Sequence, residues 1–161
     1  MKKSALQCAR AAYQPKLPKG LRGNVTIKEG APTQSVGDQE EIKKLFPNTY
    51  GMPIVEFVPT DEKKEYAPIN IGVILSGGQA PGGHNVICGL YDELKKQNPQ
   101  NKLYGFLMGP GGLVNHKYIE MTDELINEYR NTGGFDMIGS GRTKLEEVDQ
   151  FESGLKIINE L

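Results

Sequence analysis

The hydrophobic pattern is regular only from residue 69 onward, where segments typical of strands alternate with segments typical of helices. Residues 69–75 are rich in β-branched side chains, as in a strand that is buried on both faces of a sheet. Residues 103–108 and 135–138 predict two further short strands. This alternation predicts an α/β fold, a Rossmann-like parallel sheet with helices on both faces.

Three helices are predicted between and after these strands. Apolar residues at helical spacing predict the first around residues 86–94. Thr122 is expected to cap the second, over residues 123–130. The third region is either continuous or broken near Ser153 and Gly154, and it is marked by Leu145, Val148, Phe151, Leu155 and Ile158.

The chain before Pro68 holds most of the prolines and only short apolar runs. We expect short helices over residues 4–13 and after an N-cap at Asp38, and short strands over residues 24–27 and 53–58. Residues 1–67 are therefore predicted to form an extension of mixed short elements, and residues 68–161 to begin an α/β domain.

Composition narrows the class of protein. The 161 residues carry a net charge of −1, so no overall basic field indicates nucleic-acid binding. No apolar run approaches the roughly 20 residues of a membrane span, and the basic N-terminus lacks the apolar stretch of a signal peptide. Cys8 and Cys88 lie far apart and in no metal-binding spacing. We expect a soluble cytoplasmic protein.

The strongest chemical signal is the glycine-rich segment of residues 76–85, the first loop, which lies between the first predicted strand and its helix. Glycines allow backbone N–H groups to approach an anion closely, and a helix N-terminus carries about half a positive charge. The loop therefore suits phosphate, although it matches neither common nucleotide-binding glycine motif. A turn that only packs the strand against the helix is the structural alternative.

Two more loops follow predicted strands. The second loop, residues 138–144, offers the fork of Arg142 and the point charge of Lys144 for phosphate, although an ordinary solvated basic turn is an alternative. The third loop, residues 108–114, is as consistent with a plain connection as with substrate contact. His84 is expected to hydrogen-bond locally, and His116 shows no partner from which a catalytic triad could form.

The first and second loops together resemble the phosphofructokinases, specifically the long pyrophosphate-dependent form. The resemblance is carried by residues 72–87, GVILSGGQAPGGHNVI, and by residues 139–144, GSGRTK. ATP-dependent members usually carry Asp at the position of Gln79 and Gly-Met-Asn in place of residues 82–85. The resemblance implies a partial phosphofructokinase fold in which residues 68–161 begin the domain that binds the phosphoryl donor.

The resemblance also implies an activity and its residues. The expected reaction is reversible transfer of phosphate from pyrophosphate to fructose 6-phosphate in glycolysis, giving fructose 1,6-bisphosphate. Gly77, Gly78 and Gly82 would contact pyrophosphate, with the N–H of Gly77 donated to the phosphoryl donor. Arg142 would be catalytic by bridging the donor and the transferred group, and Lys144 would assist.

Other parts that the resemblance implies are expected beyond Leu161. These are the Gly-Gly-Asp motif that binds Mg²⁺, the Thr-Ile-Asp-Gly-Asp motif with the catalytic base, and the sugar-phosphate residues. We therefore expect a front portion that is inactive by itself, with the remainder of the polypeptide as partner and a homo-oligomeric full-length protein. An ATP-dependent phosphofructokinase and a non-catalytic regulatory phosphate-binding subunit are the alternatives.

Overall fold

The computed structural model describes residues 3–62 and 65–161. These residues form two units, one of residues 15–62 and one of residues 3–14 together with residues 65–161. Each unit contains a separate sheet. None of the helices in the described ranges combines the length and the apolar character that crossing a bilayer requires.

The unit of residues 15–62 is built on a two-stranded antiparallel sheet. Strands β1 (Val25–Pro32) and β2 (Pro53–Pro59) confirm the two short strands predicted here, and helix α2 (Gln39–Leu45) confirms the helix. The predicted cap is wrong. Asp38 adopts a left-handed conformation with φ of 49°, and its side chain makes no capping hydrogen bond.

The other unit contains a three-stranded mixed sheet in the order β3–β4–β5. Strand β3 (Asn70–Val73) pairs in parallel with β4 (Lys102–Phe106), and β5 (Tyr118–Glu120) pairs antiparallel with β4. The helices of this unit are α1 (Ala5–Ala12), α3 (Gly83–Gln97), α4 (Pro110–Val114), α5 (Asp123–Tyr129) and α6 (Val148–Glu160). The α/β class is confirmed, although among the strands of the described residues only β3 and β4 pair in parallel.

The core lies on one face of this sheet. Leu103 on β4 packs with Ile87 of α3 and Ile126 of α5, and all three side chains are buried. The opposite face carries Gly72, Tyr104 and Phe106, which border a cavity of about 110 Å³ together with the end of α6. Side chains alternate between the faces because a strand has a period of two.

Two strand predictions are corrected by the structure. Residues 135–138 form a turn, in which the N–H of Gly139 donates to the oxygen of Phe135 at 2.9 Å. The run of residues 69–75 is not buried on both faces, since Ile69 is 48% exposed and Ile71 and Val73 are half-buried. The sequence pattern also missed β5, which is only three residues long.

Helix predictions are mostly confirmed. Thr122 caps α5 by accepting the Leu125 N–H, and Ser4 caps α1 in a capping box with Gln7. Helix α6 is continuous through Ser153 and Gly154, so of the two alternatives that the sequence left open the continuous helix is the one that forms. Its buried residues are Gly154 and Ile157. Four of the apolar residues that marked this helical region in the sequence are exposed, namely Val148, Phe151, Leu155 and Ile158.

Candidate functional site

The first and second loops meet through Gly141. Its N–H donates to the oxygen of Leu75 at 3.3 Å, and its own oxygen accepts the N–H of Gly77 at 2.8 Å. These contacts form an isolated parallel bridge between Gly141 and Ser76. The second loop is therefore hydrogen-bonded to the chain just beyond the end of β3. The ends of parallel strands are where ligands bind in α/β sheets.

The third loop packs closely against the same glycine. A Cβ atom built on Gly141 would overlap the carbonyl oxygen of Met108, and one built on Gly109 would lie 2.5 Å from the nitrogen of Gly141. The N–H of Met108 donates to the oxygen of Ile138 at 2.7 Å. Glycine at position 141 is required by this close approach of two backbones. Gly141 has no role among the residues predicted from the sequence, although its place between Ser140 and Arg142 in the second loop is a local signal for it.

The guanidinium of Arg142 lies directly over the first loop. A Cβ atom built on Gly78 would be only 2.9 Å from its Nη2 atom. The Arg142 side chain is exposed, and it makes no hydrogen bond or ion pair with any residue in the described ranges. Its charge and its fork of donors are therefore available to a ligand beside the Gly78 backbone.

The first loop divides its backbone donors between the fold and the solvent. The N–H of Gly77 is donated to Gly141, so the N–H that was expected to reach the phosphoryl donor is occupied. Gly77 has a φ of +96°, which suits glycine. The N–H groups of Gly78, Gln79 and Ala80 have no acceptor among the described residues, and all three residues are exposed. Of these three residues, Gly78 lies directly beside the Arg142 guanidinium.

The N-terminus of α3 is covered by other parts of the chain. The N–H of Gly82 donates to the oxygen of Gly133 at 2.8 Å, and the N–H of His84 donates to the oxygen of Gly134 at 2.9 Å. A Cβ atom on Gly83 would lie 2.9 Å from the ring of Phe135. Since these donors are used within the protein, an anion is better placed against residues 78–80 than against the helix end.

Lys144 and His116 each have a partner within the protein. Lys144 forms an ion pair with Glu146, two residues later, at 3.3 Å. Both side chains are exposed, so this pair contributes little to stability in water. His116 Nε2 lies 3.0 Å from Ser153 Oγ, a partner that the sequence spacing did not reveal. That hydroxyl donates to the oxygen of Val114, so this contact ties α6 to the end of α4.

His84 is buried and hydrogen-bonded locally, as predicted. It is 1% exposed, its Nδ1 lies 2.6 Å from Thr132 Oγ1, and its Nε2 accepts the N–H of Met137 at 3.0 Å. Burial lowers the pKa of His84, and the exposed Asp136 carboxylate at 3.1 Å partly opposes that shift. The ring is therefore a neutral structural group beneath the second loop.

The described residues do not offer a ligand set for a metal ion. Within residues 3–62 and 65–161, no three His, Cys, Asp or Glu side chains lie close enough together to hold one. The loops instead provide exposed backbone donors and one unpaired guanidinium, a donor set that suits an anion.

The comparisons with known proteins agree with the loop resemblance. The chain is 63% identical over 161 residues to a pyrophosphate–fructose 6-phosphate 1-phosphotransferase of Porphyromonas gingivalis, covering 100% of this chain and 29% of the relative. It is 50% identical over 163 residues to a protein of the same name from Entamoeba histolytica, covering 100% of this chain and 30% of the relative. A relative from Arabidopsis thaliana, named subunit beta 2 of that enzyme, is 44% identical over 98% of this chain and 28% of its own length.

The chain spans less than a third of the length of these relatives. No protein-family model matches it. A crystal structure of a pyrophosphate-dependent phosphofructokinase from Marinobacter aquaeolei is similar at a TM-score of 0.48 and 23% identity, over 56% of this chain and 23% of that one. In sequence the chain is similar over its whole length to part of the proteins named pyrophosphate–fructose 6-phosphate 1-phosphotransferase, which confirms the resemblance predicted from its loops.

Proposed function

We propose that this chain forms the start of the donor-binding part of a pyrophosphate–fructose 6-phosphate 1-phosphotransferase. The observation that carries the proposal is the position of the unpaired Arg142 guanidinium beside Gly78, next to exposed backbone donors of the first loop. The names of the relatives supply the substrates, pyrophosphate and fructose 6-phosphate. In this proposal, residues 68–161 begin the donor-binding domain and residues 1–67 are its extension.

The proposed roles follow from which donors the fold leaves open. The N–H groups of Gly78, Gln79 and Ala80 hold pyrophosphate oxygens, because no protein acceptor occupies them. Gly77 and Gly82 act through their positive φ values, which shape the loop, since the N–H of each is donated within the protein. This assignment replaces the direct contact by Gly77 that the sequence resemblance implied.

Arg142 is the proposed catalytic residue of this chain. Phosphoryl transfer demands little covalent chemistry from a protein, and its catalysis depends on positioning and on neutralising charge at the moving group. A planar guanidinium can contact oxygens of both the donor and the transferred phosphoryl group at once. Lys144 is proposed to add a weaker, screened attraction, since it is exposed and paired with Glu146.

The remaining parts of the proposal concern groups outside this chain. We propose that Mg²⁺ is the cofactor, with its ligand residue beyond Leu161, and that it would neutralise charge on pyrophosphate. The catalytic base and the residues for fructose 6-phosphate are likewise proposed to lie there. The cytoplasmic location and the homo-oligomeric state stay predictions; the subunit name of the plant relative supports a multi-subunit assembly.

One test separates the proposed function from its two alternatives, an ATP-dependent phosphofructokinase and a regulatory phosphate-binding subunit. The full-length protein that carries this chain should convert fructose 6-phosphate with pyrophosphate and Mg²⁺, measured by coupled assay, and should bind pyrophosphate in calorimetry. Turnover with ATP instead would indicate the ATP-dependent reaction. Binding of pyrophosphate without turnover would indicate a regulatory phosphate-binding subunit. A protein that neither binds pyrophosphate nor turns it over would overturn the proposed function.

A further inference from the structure

His84 connects the helix that follows the first loop to the turn that precedes Arg142. It lies in the first turn of α3, and its ring is enclosed by Thr132, Met137 and the edge of Tyr129, whose ring centroid is 4.7 Å away. Its backbone N–H is donated to Gly134. One residue thus contacts the 132–137 segment through both its backbone and its side chain.

The hydrogen bonds around the ring define its tautomer. Thr132 Oγ1 donates its proton to the oxygen of Tyr129 at 2.6 Å, so it can only accept from Nδ1 of His84. Two groups face Nε2, the N–H of Met137 at 3.0 Å and the exposed Asp136 carboxylate at 3.1 Å; with the Met137 N–H donated to Nε2, that nitrogen carries the lone pair and donates no proton to Asp136. This network assigns a neutral ring with its proton on Nδ1.

The turn that His84 holds has few other backbone bonds. Residues 135–138 are not in the sheet, so no ladder of hydrogen bonds fixes them. The turn is held by the N–H of Gly139 to Phe135, by the N–H of Met108 to Ile138, and by the N–H of Met137 to His84. Gly139 and Gly141 follow, and glycines provide little stiffness of their own. The Arg142 segment is therefore held at two points, at Gly141 by its hydrogen bonds with the first loop and at its base by the 135–138 turn.

We infer that His84 is a positioning residue for Arg142: by accepting the Met137 N–H at Nε2, it anchors the 135–138 turn and so places the segment that carries the guanidinium over the first loop. This inference rests on the proposed function of Arg142. His84 touches no reacting group and acts through the turn. A loss of this anchor should leave the first loop able to bind pyrophosphate while reducing transition-state stabilisation by Arg142.

A matched pair of substitutions separates the two ring nitrogens. His84→Gln places a side-chain oxygen near the position of Nε2 and can still accept the Met137 N–H. His84→Asn reaches only as far as Nδ1 and leaves the Met137 N–H, in a buried site, without its acceptor. In the full-length protein we expect His84→Asn to lower kcat by on the order of 10-fold with a small change in the KM for pyrophosphate. His84→Gln should lie much closer to the parent.

A double-mutant cycle tests whether the effect passes through Arg142. In the Arg142→Lys background, His84→Asn should lower kcat far less than it does in the parent, because the fork that it positions is already absent. An equal loss in both backgrounds would overturn the inference and leave His84 as a general packing residue. Thr132→Val, which removes the Nδ1 partner but keeps the shape, is expected to lower kcat in the same direction, and it serves if His84→Asn does not fold.

Hydrogen exchange separates this inference from the proposed function. Amides of residues 137–142 should exchange faster in His84→Asn, or in Thr132→Val, than in His84→Gln, whether or not the protein turns over pyrophosphate. Faster exchange in a protein without turnover would support the anchor and reject the proposed function. Unchanged exchange in both variants would overturn the anchor itself.

Discussion

The guanidinium of Arg142 and the backbone of Gly78 are so close that a Cβ atom on Gly78 would lie 2.9 Å from Nη2. The two residues are 64 positions apart in the chain, and the bridge between Ser76 and Gly141 brings their loops together. The obstructing atom is the far end of a flexible side chain. A side chain at position 78 would therefore displace the guanidinium without forcing the backbone to move.

Gly78→Ala should reduce catalysis with little change in stability. Gly78 has no positive φ, so the backbone accepts alanine, and Arg142 must swing away from the first loop. We expect kcat for the pyrophosphate reaction to fall by about 10-fold or more, with a melting temperature near that of the parent. Gly77→Ala is a poorer probe, because a φ of +96° strains any side chain there.

Gly89→Ala is the matched control for that substitution. Gly89 is an exposed residue within α3, and a Cβ atom there would meet no other group within 4 Å. Alanine should stabilise the helix by about 0.5–1 kcal/mol and leave kcat unchanged. Equal kcat values for Gly78→Ala and Gly89→Ala would show that the position of Arg142 over Gly78 has no part in catalysis.

Arg142→Lys should act mainly on the transition state. It keeps a positive charge but loses the planar fork that can contact two phosphate oxygens. We expect kcat to fall by on the order of 10²-fold, while the KM for pyrophosphate rises less. Lys144→Gln provides the comparison, since Lys144 is exposed and paired with Glu146, and its kcat should change little. A raised KM with normal kcat in Arg142→Lys would make Arg142 a uniform binding contact.

Gly141→Ala should destabilise the unit that contains the loops. Its Cβ atom would overlap the carbonyl oxygen of Met108, and the neighbouring Gly109 backbone leaves no room for a shift. We expect a loss of about 1–3 kcal/mol in the free energy of unfolding, in the range for overpacked sites. Denaturant unfolding measures it, again against Gly89→Ala. A stability equal to that of the parent would mean that the three loops do not pack around Gly141.

The stability of the full-length protein should decrease in acid partly through His84. Burial lowers the pKa of this histidine below its ordinary value of 6.5, so the unfolded chain binds its proton more readily than the folded chain does. The stabilisation by neutral His84 is therefore complete above pH 6.5 and is lost as the pH falls below it towards the folded-state pKa.

His84→Gln isolates that contribution, since glutamine does not titrate. Melting temperatures measured from about pH 7.5 to about pH 5 should decline less steeply in His84→Gln than in the parent. The Asp136 carboxylate beside the ring partly opposes the lowering of the His84 pKa. The melting temperature of Asp136→Asn should therefore decline more steeply with falling pH than that of the parent. Identical slopes for His84→Gln and the parent would show that His84 is not held neutral.

Some features were determined by the sequence alone, because they depend on residues close together in the chain. Helices α3 and α5 follow from apolar spacing and, for α5, from the Thr122 cap. The suitability of the first and second loops for phosphate, and the family resemblance that they carry, follow from local patterns of glycine and arginine. Each of these signals lies within a window of about 18 residues or fewer, where chain geometry limits the possible structures.

Other features were decided only by tertiary contacts. Residues 135–138 have a strand-like composition but form a turn. In this turn the N–H of Met137 is donated to His84 and the oxygen of Ile138 accepts the N–H of Met108, and both partners are distant in sequence. The resemblance implied that the N–H of Gly77 contacts the phosphoryl donor, whereas the fold donates this N–H to Gly141, 64 residues later. Backbone groups must be satisfied by whichever partner the fold brings near, and that partner is invisible to a local pattern. The donors left for a ligand are those that the tertiary structure does not use.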